Sequence, residues 1–283
     1  MQEFDAIRPY SDDEVPGAVS RLQNDPDFQL MVGRFRSPFL AKWLPGLVRR
    51  RVKGWLARHF DDARTVRDIQ HRVAEQVTTL VSNTTTQLTS SGLDKLDRNT
   101  SYLFISNHRD IVFDPMVVNH LLYLNDFDTT RIAIGDNLLQ NPVFAEMMRL
   151  NKSFVVRRNI QSPREMRNVF MTLSGFINHS LDDGHSIWIA QREGRAKNGI
   201  DLTDPAIIKM FYMSRKKQGL GFAEAMNKMN IVPVSIAYEY DPCDTDKARE
   251  LEIRARTGTY QKAENEDSEQ IVKGLTGFKG HVH

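Results

Sequence analysis

The stretch YLFISNHRDIVFDP at residues 102–115 is the part of the sequence that best indicates both the fold and the functional site. Its apolar start predicts a short buried strand, and the apolar residues of 116–124 suit a helix packed on that strand. His108, Asp110 and Asp114 therefore lie where a strand ends and a helix begins, which is where ligands bind in α/β sheets. A neutral imidazole accepts a proton near neutral pH, and a carboxylate bonded to its far nitrogen fixes the tautomer. A lone histidine more often packs or caps a turn, so further motifs must decide between these roles.

The bulk composition narrows the class of protein. The chain has 283 residues, 40% of them hydrophobic, which supports one sizeable domain or one domain with an appendage. A net charge of +2 and the absence of a compact basic RNA motif predict no nucleic-acid partner. The single cysteine, Cys243, indicates a reducing compartment. No apolar run approaches the roughly 20 residues of a membrane span, so we expect any membrane contact to be peripheral.

Residues 31–60 carry a one-sided charge. They include eight arginines and lysines and no acidic residue, interleaved with apolar residues that include Trp43 and Trp55. Pro38 and Pro45 are expected to divide the segment into short helices. Basic residues and tryptophans on apolar faces suit the surface of an anionic bilayer. The same pattern also fits ordinary packed helices with a solvated basic face.

From residue 102 onward, predicted strands alternate with predicted helices. This alternation is typical of an α/β layered domain, here a central mixed sheet flanked by helices and preceded by a helical N-terminal region. Pro233 in the last strand favours an edge, a strand start or a bulge. The predicted strands cover 102–105, 131–135, 153–156, 186–190 and 231–238. The predicted helices cover 142–150, 163–181, 205–217 and 222–229.

The domain organisation is predicted as three consecutive ranges. Residues 1–95 form the helical region with the basic segment, residues 96–241 the catalytic domain, and residues 242–283 a charged extension. Residues 277–283 have the pattern of a strand that opens and then stops. We therefore expect a C-terminal truncation.

Polar groups follow several of the predicted strands. Arg157 and Arg158 end the third strand, and Glu193, Gly194 and Arg195 follow the fourth. Strand ends can lie close in space although they are far apart in sequence. Together with His108 and its acids, the guanidinium groups would suit a phosphate or a carboxylate.

Four motifs in order resemble the phospholipid/glycerol acyltransferase family, which includes glycerol-3-phosphate and 1-acylglycerol-3-phosphate acyltransferases. They are Asn107-His108 followed by an aspartate, the strand ending in Arg157-Arg158, the strand leading to Glu193-Gly194, and Val232-Pro233-Val234. Each motif alone is weak, and their order makes the resemblance specific. It covers residues 102–238.

The resemblance implies a peripheral membrane O-acyltransferase of phospholipid biosynthesis on the cytoplasmic face. His108 would be the general base that deprotonates an acceptor hydroxyl, which attacks an acyl thioester on coenzyme A or acyl carrier protein. The acceptor would be glycerol 3-phosphate, a lysophospholipid or a related lysolipid. No cofactor and no metal is implied beyond the thioester co-substrate. Asn107, Arg157, Arg158, Glu193, Gly194 and Arg195 would bind the substrate, and Lys197 could add positive charge.

The chain departs from the family pattern at two places. The family's aspartate lies five positions after the histidine, where this chain has Phe113. Asp114, one position later, is the preferred partner of His108, and Asp110 is the alternative. The family's Glu-Gly-Thr-Arg is Glu-Gly-Arg-Ala-Lys here, so the basic group moves and the acceptor stays open, with an amino-acid-derived lysolipid among the candidates.

Two other classes of function remain. A catalytically silent lipid-binding relative would keep the groove and lose the base, which the retained His108 disfavours. A metal-dependent hydrolase could use His108, Asp110 and Asp114 as ligands. However, hydrolytic zinc sites have three protein ligands that typically include more histidines. Apart from His120, which we expect to lie along the following helix, no other histidine has ligand spacing to His108.

Overall fold

The computed structural model describes residues 2–139, 141–158, 160–263 and 266–283. The chain forms two compact units. The first contains Met1–Glu75 and Ile134–Arg158, and the second contains Gln76–Ala133 and Asn159–His283. None of the described helices is both long enough and apolar enough to cross a bilayer.

The helices and strands follow one another along both units. In chain order the helices are α1 (Val15–Asn24), α2 (Pro26–Arg36), α3 (Pro38–Trp43), α4 (Pro45–Phe60), α5 (Val66–Thr84), α6 (Phe113–Leu124), α7 (Pro142–Leu150), α8 (Pro163–Asp182), α9 (Pro205–Lys217), α10 (Phe222–Asn227), α11 (Asp244–Thr257) and α12 (Glu266–Thr276). The strands are β1 (Gln87–Leu88), β2 (Leu103–Ser106), β3 (Arg131–Gly135), β4 (Ser153–Val156), β5 (Ile187–Ala190), β6 (Ile231–Val234) and β7 (His281–Val282).

Prolines start the N-terminal helices of the first unit. Pro26, Pro38 and Pro45 each occupy the first position of a helix, where the missing N–H costs nothing. The predicted breaks at Pro38 and Pro45 are confirmed. The apolar faces of these helices are buried in one core together with one residue of α7. That core contains Val15, Ala18, Val19, Leu22, Phe28, Ala41, Val48, Val52, Leu56, Ala63, Ile69 and Leu150.

A five-stranded sheet, in the order β4-β3-β5-β2-β6, lies among the described residues. The register described for β2 with β5, β2 with β6 and β3 with β5 is parallel in each case. Ser106 lies opposite both Ala190 and Val234, so three neighbouring strands end level at one edge of the sheet. The residues that follow these strands are therefore brought together. The predicted α/β architecture is confirmed, and Pro233 lies in an edge strand as expected.

Two predicted boundaries differ from the structure by more than two residues. The helix expected from residue 116 begins at Phe113, because Asp110 Oδ1 accepts the backbone N–H groups of Val112 and Phe113 at 3.0 and 2.8 Å and caps the first turn. The strand expected to end at 238 ends at Val234, where its partner β2 also ends.

Beyond β6 the chain pairs with the C-terminal residues instead of the main sheet. Ala237 and His283 exchange backbone hydrogen bonds of 2.8 and 3.0 Å, and Glu239 N–H donates to the carbonyl of His281 at 2.9 Å. Tyr238 forms an antiparallel bridge to Val282 between them. On its other side, β7 pairs in parallel with β1. Residues 237–240 are thus held by a second, small sheet.

Candidate active site

Asn107 closes the edge where β2 and β6 end. Its side-chain amide donates to the carbonyl of Ile236 at 2.9 Å and accepts the N–H of the same residue at 2.8 Å. The side chain thus replaces a pair of strand-to-strand hydrogen bonds at the point where the strands stop. Asn107 is predicted to bind substrate, and in the structure its side chain joins the end of β2 to the segment that follows β6.

His108 follows directly and contacts a buried acid. Its Nδ1 lies 2.9 Å from Asp114 Oδ2, and the two side chains are 13% and 0% exposed. The ring of Trp188, on the neighbouring β5, lies edge-on to the imidazole with 5.6 Å between ring centres. The imidazole is therefore held between the carboxylate of Asp114 and the ring of Trp188, and a small part of its surface is accessible to solvent.

Asp114 uses both of its oxygens as acceptors. Besides His108, its Oδ2 accepts the backbone N–H groups of Arg109 and Asp110 at 2.6 and 2.9 Å. Its Oδ1 accepts the hydroxyl of Tyr238. Because the carboxylate accepts from every side, the ring nitrogen Nδ1 must be the donor to it. The neutral ring of His108 then carries its lone pair on Nε2.

Asp110, the alternative acid, has a different position. Its Oδ1 caps α6, and burial, followed by the charge of Asp114, raises the pKa of its carboxyl. A Cβ added to Gly274 of α12 would lie only 2.0 Å from Asp110 Oδ2. Asp110 is therefore enclosed between the start of α6 and the C-terminal helix.

The segment after β5 turns back onto His108. Gly194 has φ +77°, a conformation that side chains rarely adopt, and this turn brings the N–H of Ala196 to the carbonyl of His108 at 2.7 Å. Farther along, Asp201 Oδ2 accepts the backbone N–H of His108 at 2.7 Å. Both backbone groups of His108 are thus held by one loop. Glu193 is exposed at the start of this turn.

The two basic residues that follow Gly194 contact acids and amides of the C-terminal helices. Arg195 donates to Gln270 of α12 and lies 3.9 Å from an oxygen of Asp267. Lys197 donates to Glu250 of α11 at 2.8 Å. Both cationic groups therefore have anionic neighbours within the second unit.

Arg157 and Arg158 follow Val156, the last residue of β4, in the first unit, and both are exposed. A Cβ on Gly135 would lie 2.4 Å from Arg158 Nε, so this side chain runs close along the end of β3. The part of both arginines in binding an acceptor stays a prediction.

A scan against protein families matches the Acyltransferase family over residues 87–237, just over half of the chain. The chain belongs to the acyltransferase family. A search of curated proteins finds no match. Among solved structures, the 1-acyl-sn-glycerophosphate (LPA) acyltransferase PlsC from Thermotoga maritima is similar, with 14% identity and a TM-score of 0.43. That similarity covers 91% of this chain and 83% of the Thermotoga protein.

Sequence reasoning missed two residues around the histidine of this acyltransferase. The sequence predicts a strand through residue 238 and no site role for Tyr238, and none of the four motifs contains Asp201. Tyr238 lies four residues past the last β6 residue. A residue with a polar ring just beyond a strand end is the sequence feature that could have indicated a role for Tyr238 in the site. Asp201 lies in a polar loop with no pattern that distinguishes it.

The acids of this acyltransferase site are engaged with protein donors. Asp114 accepts from one ring N–H, two backbone N–H groups and one hydroxyl, and Asp110 Oδ1 accepts two backbone N–H groups. Over the described ranges, no three His, Cys, Asp or Glu side chains converge in a group suited to a metal ion. This geometry disfavours the use of both aspartates as ligands in a metal-dependent hydrolase.

Proposed function

We propose that this acyltransferase moves a fatty acyl group from acyl-CoA or acyl-ACP to a hydroxyl of glycerol 3-phosphate, a lysophospholipid or a related lysolipid. The observation that carries the proposal is the 2.9 Å contact between His108 Nδ1 and the fully buried Asp114. It leaves Nε2 as the proton acceptor, and it lies within the matched residues of the family. The reaction needs no cofactor beyond the thioester substrate.

The acyl group passes directly from the thioester to the acceptor hydroxyl, and the hydroxyl proton passes through His108 to the leaving thiolate. His108 Nε2 takes the proton of the acceptor hydroxyl as the oxygen attacks the thioester carbonyl. The carbon–sulfur bond breaks, an ester forms, and the leaving thiolate takes the proton from the imidazolium. The negative charge of Asp114 stabilises the imidazolium between these two events. No covalent acyl-enzyme is required.

The acceptor's headgroup is the open part of the proposal. Arg157 and Arg158 are the proposed partners of a phosphate or carboxylate, because arginine binds both through paired N–H groups. Arg195 and Lys197 already contact Gln270, Asp267 and Glu250, which lowers their capacity to bind a further anion. This pairing favours testing acceptors that lack a phosphate beside those that carry one.

The test is a transfer assay on the full chain with detergent or vesicles. Radiolabelled oleoyl-CoA and oleoyl-ACP are offered with glycerol 3-phosphate, lysophosphatidic acid, lysophosphatidylethanolamine or an amino-acid-derived lysolipid. We expect one acceptor class to give an ester product with release of one free thiol per ester. Thiol release without an ester would indicate hydrolysis, and the absence of both would favour the silent lipid-binding relative.

The basic segment of residues 31–60 is the proposed contact with an anionic membrane on the cytoplasmic face. Phe39 and Trp43 are 74% and 65% exposed. Leu47, Arg50, Arg51, Gly54 and Arg58 line a shallow concavity on α4. Cationic groups beside exposed aromatic rings fit a lipid headgroup region, where the rings enter the interface and the charges meet phosphates.

We expect the chain to sediment with phosphatidylglycerol vesicles at low salt and to be released at about 0.5 M salt, because surface charges are screened. The double variant Phe39→Ser with Trp43→Ser should lose most of the bound fraction. Arg50→Gln with Arg51→Gln should weaken binding and flatten its salt dependence. Leu124→Ser, an exposed apolar residue of the second unit, is the matched control. Equal binding to neutral phosphatidylcholine vesicles at every salt concentration would contradict the proposal.

A further inference from the structure

The buried carboxylate of Asp114 has one donor that does not come from its own turn. His108, Arg109 and Asp110 are its neighbours along the chain and all bond Oδ2. Oδ1 is bonded by the hydroxyl of Tyr238, which reaches it from the segment after β6. In the described part of the chain this hydroxyl is the sole hydrogen-bond partner of Oδ1. Because every hydrogen bond to Oδ2 comes from the same short turn, Tyr238 provides the long-range restraint on the carboxylate.

Tyr238 is itself fixed from two sides. Its backbone forms the bridge to Val282, with hydrogen bonds of the residues on either side to His283 and His281. Its ring lies 5.8 Å from the fully buried ring of Phe113, the residue before Asp114. The hydroxyl is therefore aimed at Oδ1 by β7 on the backbone side and by the start of α6 on the ring side.

We propose that Tyr238 is a positioning residue of this acyltransferase, donating its hydroxyl to Asp114 Oδ1 so that the carboxylate presents Oδ2 to His108 and shares its negative charge between two side-chain donors. The inference rests on the proposed role of His108 as base. It assigns a function to the segment after β6, outside the four motifs.

The other charged groups around the pair come from several elements. Asp110 lies in the same turn, Asp201 holds the backbone of His108, and Arg109 contacts Asp241 at 3.3 Å. Lys279, in the C-terminal segment, places its Nζ 4.1 Å from the centre of the Phe113 ring. Arg195, which follows β5, interacts electrostatically with Asp110. Of the described side chains, His108 and Tyr238 are the ones that donate to the carboxylate of Asp114.

The chemical state of Tyr238 suits a permanent donor. Burial, followed by the charges of Asp114 and Asp110, raises the pKa of Tyr238 well above its ordinary value. The phenol therefore keeps its proton throughout the range in which an imidazole titrates. A donor on Oδ1 draws negative charge away from Oδ2, which weakens the hold of the carboxylate on a protonated ring. Removing that donor should favour the imidazolium, and strengthening it should favour the neutral base.

The experiment compares Tyr238→Phe, Tyr240→Phe and the chain with 3-fluorotyrosine, a stronger donor, at position 238 only. Tyr240 is the matched control, since it lies two residues along the same segment and stacks on Phe278 at the surface. The first readout is the ¹⁵N NMR titration of His108, assigned by its absence in His108→Ala. The second is the pH profile of kcat and KM with the donor and acceptor that give the ester product in the transfer assay. Circular dichroism confirms the fold.

In Tyr238→Phe we expect the His108 titration and the acid limb of kcat/KM to move to higher pH by about half a unit to one unit. We expect kcat to fall by about tenfold to a hundredfold with little change in KM. Fluorotyrosine should move the titration to lower pH, and Tyr240→Phe should match wild type. A Tyr238→Phe protein that folds and titrates like wild type would overturn the inference. Full turnover in His108→Ala would overturn the proposed function instead, while the NMR shift would still decide the role of Tyr238.

Discussion

The His108→Ala variant should lose about a thousandfold or more of the transfer rate, because no other described side chain on the turn after β2 can take over as a neutral base beside Asp114. The loss should appear in kcat at every pH, since the missing group acts on the reacting hydroxyl. Oleoyl-CoA turnover with the acceptor found in the panel measures it.

The fold should survive this substitution. His108 is held by its backbone N–H and carbonyl, which bond Asp201 and Ala196, and both bonds remain in the alanine variant. Thermal unfolding should therefore change little. His185→Ala, a partly exposed histidine beside Asp183 in the same unit, is the matched control and should keep full activity. Comparable activity in His108→Ala and wild type would refute the base assignment.

Replacing Asp114 by asparagine is expected to lower kcat by about a hundredfold to a thousandfold. Two backbone N–H groups point at the Oδ2 position, so the amide oxygen should occupy it and the NH₂ group should face Tyr238. Tyr238 can rotate its hydroxyl to accept. His108 then keeps its tautomer but loses the charge that stabilises the imidazolium.

Asp110→Asn is the informative counterpart. Asparagine caps helices as well as aspartate does, so the bonds to Val112 and Phe113 can persist. We expect activity within about threefold of wild type. Steady-state kinetics of both variants, with circular dichroism as the folding check, decide which acid serves the histidine. A larger loss in Asp110→Asn than in Asp114→Asn would reverse the assignment.

Local patterns predicted much of the layered domain. The strands at 131–135 and 153–156 and the helix at 205–217 have the expected bounds, because each is an apolar run delimited by glycine, proline or polar residues. Asp114 was preferred over Asp110 through the motif, and the structure explains the extra residue. The backbone N–H groups of Arg109 and Asp110 bond Asp114 Oδ2, so the sixth residue after His108 brings its carboxylate to the ring.

The contacts between distant segments could not be predicted. The approach of Gly274 to Asp110, the hydrogen bond from Arg195 to Gln270 and the reach of Tyr238 to Asp114 depend on how separate elements pack. No periodicity in one segment specifies its partner in another. The strand predicted to reach 238 illustrates this, because its apolar alternation continues after its partner changes from β2 to the C-terminal residues.

The core of the first unit has a consequence for the order of synthesis. Residues from Val15 to Ile69 bury their apolar faces together with Leu150 of α7, and all of the β2 and α6 segment is translated between them. A nascent chain that ends before α7 emerges must expose part of that face on the ribosome. Because domains generally begin to fold as soon as they are made, this interval is when the N-terminal helices are most open to chaperones and to misassembly.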